Sequence, residues 1–237
     1  PRHFLSRRNP SVPTPTLLRL PTGEMLRKEE KLRMWYSSCD FPSGDGHHTL
    51  HEIASADGVS WTPPSDAQLE NAYAPTVIKE GDTYRMWYTD VEKEPWCIRH
   101  AESPDGREWC VTRSPVLEID QEWEHGRLFY PAVLKIGATY LMWYGSYSTH
   151  NEDVMKTALG FAVSPDGFHW RKDAGNPVFG PDSERGWESH YTTSESILRF
   201  PDGSWRIWYA SRSGPPFIHK YLAIGTAAWT GFKTTVA

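Results

Sequence analysis

Three carboxylates, Glu195, Glu124 and Asp90, have the chemistry to exchange protons in a shared pocket, and each stands where the chain changes course. Glu195 lies inside SESIL, Glu124 opens EHGRLFYP, and Asp90 directly follows MWYT. Two carboxyl groups can divide acid and base roles only if burial or a like charge keeps one of them protonated near neutral pH. Around them, Arg127, Arg212 and His190 could orient hydroxyls or hold an anion, and Glu188 and Asp40 could accept from hydroxyls. Trp123 and Trp187, each next to a glutamate, could stack on a ligand. Each of these residues also has a plainer reading, as a solvated loop group or the satisfied partner of a neighbouring side chain.

Other chemistries find less support. His47, His48 and His51 fall in HHTLH on a loop entering a strand, without the i, i+4 helical spacing of a zinc-binding pair. Cys39, Cys97 and Cys110 are odd in number and lack CxxC spacing, which argues against a disulfide scaffold or a structural zinc and leans toward a reducing, cytoplasmic compartment. No phosphate-cradling glycine loop and no GxSxG elbow occurs, so neither a metal nor an organic cofactor is expected.

The elements that position these groups are repeats. LRMWYSS, YRMWYTD, YLMWYGS and WRIWYAS place Trp35, Trp87, Trp143 and Trp208 at intervals of 52, 56 and 65 residues. Each is preceded by a short apolar segment, PTLL, PTVI, PAVL or ESIL, and a glycine-containing turn, which is a hairpin signal. Three are followed by IASADGVSW, HAESPDGREW and FAVSPDGFHW, with YLAIGTAAW as a degenerate fourth. In the SxDG turn, aspartate supplies a side-chain cap and glycine tolerates positive φ, and the tryptophan after it is expected to open an outer strand. The expected fold is therefore all-β, a propeller of four-stranded antiparallel blades in a single domain over residues 1–237. Along YRMWYTD, alternation sends Tyr84, Met86 and Tyr88 toward one neighbouring blade and Arg85 and Trp87 toward the other. MLRKEEKL reads as an extended hairpin rather than a helix.

This pattern absorbs most of an unusual aromatic content, 12 Trp, 11 Tyr and 9 Phe in 237 residues, because eight of the tryptophans are periodic. A net charge of -5 with scattered basic residues argues against a nucleic-acid partner, and no apolar run reaches the ~18 residues of a membrane helix.

The P(T/A)V(I/L), YxMWY and A(E/V)SPDGxxW elements, over about residues 13–229, resemble those of the five-bladed propeller glycosidases and their relatives, the arabinanase/xylosidase, invertase and mannoside-phosphorylase types. The resemblance implies five blades, a saccharide or glycoside ligand and a glycoside hydrolase reaction in a central axial pocket. A non-catalytic carbohydrate-binding or scaffold propeller and a glycoside phosphorylase are the alternatives. In that family an aspartate at the start of the first inner strand serves as nucleophile or base, whereas SVPTPTLL offers no carboxylate there. Glu195 occupies the position held by Pro15, Pro75 and Pro131 in the other repeats, where a carboxylate would point at the axis.

Overall fold

The computed structural model describes residues 14–39, 47–149, 156–214 and 223–229. Four antiparallel sheets, one per repeat, form a four-bladed β-propeller. Blade 1 holds β1 (Thr16–Leu17), β2 (Arg27–Lys28), β3 (Lys31–Cys39), β4 (His48–Ser55) and β5 (Leu69–Glu70). Blade 2 holds β6 (Ala72–Glu80), β7 (Thr83–Asp90), β8 (Cys97–Ser103) and β9 (Cys110–Val111). Blade 3 holds β10 (His125–Ile136), β11 (Thr139–Tyr147), β12 (Thr157–Ser164) and β13 (Arg171–Lys172). Blade 4 holds β14 (Tyr191–Arg199), β15 (Trp205–Arg212) and β16 (Ala223–Trp229). In blades 2 to 4, strands pair in chain order from the axis outward, as expected of hairpins joined by short turns, while in blade 1 the order is β1-β3-β4-β5 with β2 also paired to β3.

The MWY strands lie second from the axis. Their tryptophans Trp35, Trp87 and Trp143 are fully buried. Alternation works as the sequence predicts: Tyr84, Met86 and Tyr88 join a core with Leu18, Trp35 and Leu50 of blade 1. Trp87 joins Leu128, Val133 and Tyr140 of blade 3 instead. MLRKEEKL is indeed a hairpin, turning at Glu29 and Glu30, which both take positive φ (51° and 59°). Such a two-residue turn matches the twist of the strands it joins.

One joint recurs between blades. Trp35 Nε1 donates to the carbonyl of Gly106 at 3.0 Å and Arg33 Nη1 to that of Asp105 at 2.8 Å, both in the SPDG turn of blade 2. Trp87 Nε1 and Arg85 Nη2 make the same bonds to Gly167 (2.9 Å) and Asp166 (2.7 Å) of blade 3. The glycine is required twice over: at Gly167 φ is +83°, and a Cβ would lie 2.9 Å from the Trp87 ring. The turn aspartates cap their own loops, Asp105 Oδ1 accepting from the amides of Arg107 and Glu108 at 2.8 and 3.1 Å.

Three sequence expectations need correction. The described residues form four blades, not five, because insertions such as the Glu29–Glu30 hairpin spread the chain over four long repeats. Among the described residues blade 4 shows three strands, the expected outer strand after Trp229 falling outside them, and Ile224 of β16 is 80% exposed. In blade 1 the outer strand begins at Leu69, well past Trp61, since the intervening segment bonds instead through Thr62 and Ser65 to β4. The joint is also unmatched at the ring's ends: Arg206 is exposed and Trp208 half-buried on blade 4. On blade 1, a Cβ at Gly58 would meet only Leu32 of its own blade among the described residues.

Candidate functional site

The four inner strands converge on a cavity of about 400 Å³. Each contributes the same two positions: Thr14–Pro15, Ala74–Pro75, Tyr130–Pro131 and Ser194–Glu195. The first residue of every pair is left-handed, with φ of 56°, 50°, 55° and 53°, although none is glycine. In blades 2, 3 and 4 the pairing register slips here, between Tyr73 and Thr76, Phe129 and Ala132, and Thr193 and Ser196. A bulge of this kind bends the strand and re-aims the next side chain. Proline suits such a place because its missing N–H forfeits no ladder bond. Holding non-glycine residues in this region costs about 1–3 kcal/mol each, and such strain concentrates at functional sites.

In blade 4 the re-aimed side chain is Glu195. Both of its carboxyl oxygens are buried and have no hydrogen-bond partner. Burial pushes the carboxyl up to about 8, so it is protonated at neutral pH. A neutral carboxyl is a proton donor, and among the described residues no second carboxylate lines the cavity.

Above the cavity sits an aromatic rim. Tyr73 and Tyr130 share a short hydroxyl–hydroxyl bond, and His48 lies 4.2 Å from the Tyr73 ring. Burial, then the His47 charge, lowers His48 to about 4, so it is neutral. On the blade 4 side the Arg212 guanidinium lies 5.1 Å over the Tyr191 ring. Tyr191 Oη, Thr193 Oγ1 and Arg212 Nε are buried without partners, as are the Glu195 oxygens. Unmade bonds of this kind are costly, and their concentration along β14 and β15 makes this face the candidate for a polar ligand.

The other candidates lie elsewhere. Glu124 Oε1 accepts from Tyr144 Oη at 2.7 Å, and Oε2 accepts from Lys172 Nζ at 2.6 Å and from the amides of Asp120 and Gln121 at 3.0 and 3.2 Å. Its neighbour Trp123 packs on Tyr144 and lies 2.8 Å from where a Cβ on Gly160 would be. Glu188 repeats the device in blade 4, accepting from Tyr209 and from Arg185 at 3.0 Å, with Trp187 stacked on Tyr209 above Gly225. These Trp-Glu pairs latch the loop onto the sheet of their own blade. Asp90 pairs with Arg99 and caps the Glu92 amide at 2.9 Å. Arg127 pairs with Glu94 and lies 3.9 Å over Trp96. His190 Nδ1 bonds to Ser189 at 2.9 Å, and its amide donates to the Arg212 carbonyl at 3.1 Å. Asp40 lies outside the described residues. Glu195 and Arg212 are thus brought to the cavity and its rim, while Glu124, Glu188 and Asp90 are held by partners of their own. Tyr130, Tyr191, Thr193 and Arg19 join the site without having been singled out in the sequence. The signal that could have found Tyr130 is its place directly before Pro131, the repeat position of Glu195.

No family model matches the chain. Two uncharacterized proteins of Mycobacterium tuberculosis, from strains CDC 1551 / Oshkosh and H37Rv, are 32% and 28% identical over 148 residues. The match takes in 58% of this chain and 46% of each relative, so the chain spans about half the length of the curated relatives it matches. Among solved structures, a glycoside hydrolase superposes with a TM-score of 0.71 at 14% identity, covering 90% of this chain and 68% of that one. An N-acetylgalactosamine deacetylase from F. plautii in complex with blood group B trisaccharide gives 0.68 at 15%, covering 94% and 74%. A B. megaterium levansucrase mutant gives 0.69 at 10%, covering 94% and 68%. At these identities the likeness is one of fold: the chain has the propeller architecture on which these carbohydrate-processing enzymes are built.

Proposed function

We propose that this protein is a carbohydrate-active propeller that binds a saccharide in the axial cavity and cleaves a glycosidic bond with Glu195 as the proton donor. The observation that carries the reading is Glu195 itself, the one repeat position where an axial proline is replaced by a buried, unpartnered and protonated carboxyl. Protonation of the leaving oxygen by Glu195 breaks the C–O bond, and water or phosphate adds to the anomeric carbon. The proton released by that acceptor balances the one given up. The fold shared with a glycoside hydrolase and with a deacetylase solved with a trisaccharide supports the ligand class.

A second reading, a saccharide-binding propeller without turnover, is favoured by one observation: among the described residues, Glu195 is the single carboxyl lining the cavity. A panel of aryl glycosides, assayed with and without phosphate, separates the two. Release of the aryl group by the wild type and its loss in Glu195→Gln supports the enzyme. Equal release by both proteins removes Glu195 from the chemistry, and binding without release by either leaves the binding module.

A further inference from the structure

Six arginines of the described structure are at least half withdrawn from solvent, and four have an acid beside them. Arg33 pairs with Glu52, Arg85 with Glu80 and Glu102, Arg99 with Asp90, and Arg127 with Glu94. Arg19 and Arg212 have no ion pair among the described residues, and both belong to the site. Arg19 lines the cavity, where its Nη2 reaches across to Ser196 Oγ of blade 4 at 3.5 Å. Arg212 stands at the rim over Tyr191 with its buried Nε unused.

A guanidinium stays charged inside a protein, and withdrawing it from water without a counter-charge costs several kcal/mol. For Arg19 the one cause acting on its pKa is burial, which lowers it, and no acid acts to raise it. Glu195, one residue from Ser196, is protonated and supplies no compensating charge. Among the described residues the cavity therefore holds a cation and a neutral acid but no anion. The planar fork of arginine matches the two oxygens of a carboxylate or phosphate, and a hydroxyl beside it adds a third donor.

We propose that the saccharide bound here is acidic, carrying a carboxylate or phosphate substituent, and that Arg19 with Ser196 is the seat of that anion. Arg212, over Tyr191 at the other end of β14 from Ser196, is the second cation the same ligand meets as it lies along that strand. This inference rests on the saccharide reading above and adds the charge of the substrate to it.

Calorimetric titration at low salt tests it with hexuronates and hexose 6-phosphates against their neutral parent hexoses, and with inorganic phosphate alone. The expected result is at least tenfold tighter binding of the acidic member of a pair, weakening as salt is raised. In Arg19→Gln that preference falls to the level of the neutral parent, in Arg19→Lys it is partly kept, and Ser196→Ala reduces it a few-fold. Equal binding of acidic and neutral members, or a preference that survives Arg19→Gln, overturns the inference while leaving the saccharide reading standing. Phosphate alone binding as tightly as the sugar phosphate overturns it in favour of a separate anion. If no sugar of either kind binds, the saccharide reading itself fails. Should Arg19→Gln not fold, the salt dependence of the wild type and the Arg19→Lys and Ser196→Ala proteins carry the same decision.

Discussion

Replacing Glu195 with glutamine should stabilise the protein, and by an amount that depends on pH. In the unfolded chain this carboxyl titrates near 4.5, and in the fold burial raises it to about 8. The folded state thus holds its proton more tightly. The stability this contributes is complete below pH 4.5 and is lost as pH rises through about 8. Each pH unit between those values is worth ~1.4 kcal/mol, so the ceiling of the effect is on the order of 5 kcal/mol above pH 8 and of 3 kcal/mol at pH 7. Glutamine imitates the neutral acid and does not titrate. Urea denaturation of both proteins at pH 4, 6, 7 and 9 should show nearly equal stabilities at the acid end and a growing advantage for Glu195→Gln toward the alkaline end. A difference that stays flat across this range would refute the reasoning, since it would mean that Glu195 is solvated or already paired in the folded protein.

Four further outcomes follow from the packing. Trp87→Ala, which empties a fully buried site and breaks the bond to Gly167, should cost about 3–5 kcal/mol in chemical denaturation. Trp208→Ala, at the half-buried counterpart in blade 4, should cost less than half as much. His100 is buried against Trp87 and Phe168 with both ring nitrogens unpartnered, and burial, then the Arg85 charge, lowers it to about 3. Its contribution is complete above the ordinary value of 6.5 and is lost as pH falls toward 3, so His100→Leu should gain roughly 2 kcal/mol on the wild type between pH 7 and 5. Glu124→Gln should destabilise by about 2–4 kcal/mol through the loss of its buried pairing with Lys172. It should leave saccharide binding unchanged in calorimetry.

Much of this architecture is legible in the sequence because it is local and repeated. Three MWY strands and one IWY strand with strict alternation, the first three followed by SxDG turns, fix both the sheet and the sides on which Tyr84 and Trp87 pack. The four axial residues were hidden for the opposite reason. Thr14, Ala74, Tyr130 and Ser194 adopt left-handed backbone without the glycine or asparagine that usually announces it, because the inner-strand bulge imposes it. Glu124 and Glu188 looked like entry-loop acids with chemistry to do, yet their shared Trp-Glu setting was itself a sign of repeated structure. Their partners, Tyr144, Tyr209 and Lys172, are distant in sequence and show themselves only after folding. Asp90 is similar: it ends β7, buried, and its Arg99 partner is brought by the neighbouring strand. Glu195 stood out because it broke the repeat, and Arg19 did not, because Lys79, Lys135 and Arg199 occupy the same place in the other blades.

The account turns on whether a saccharide enters the axial cavity, and a crystal structure of the protein soaked with an acidic oligosaccharide tests this most directly. A sugar hydroxyl or glycosidic oxygen within hydrogen-bond distance of Glu195, with the acidic group against Arg19, is the predicted result. A saccharide seated elsewhere on the blades, with the Glu195 carboxyl untouched and the cavity closed to it, would contradict the assignment.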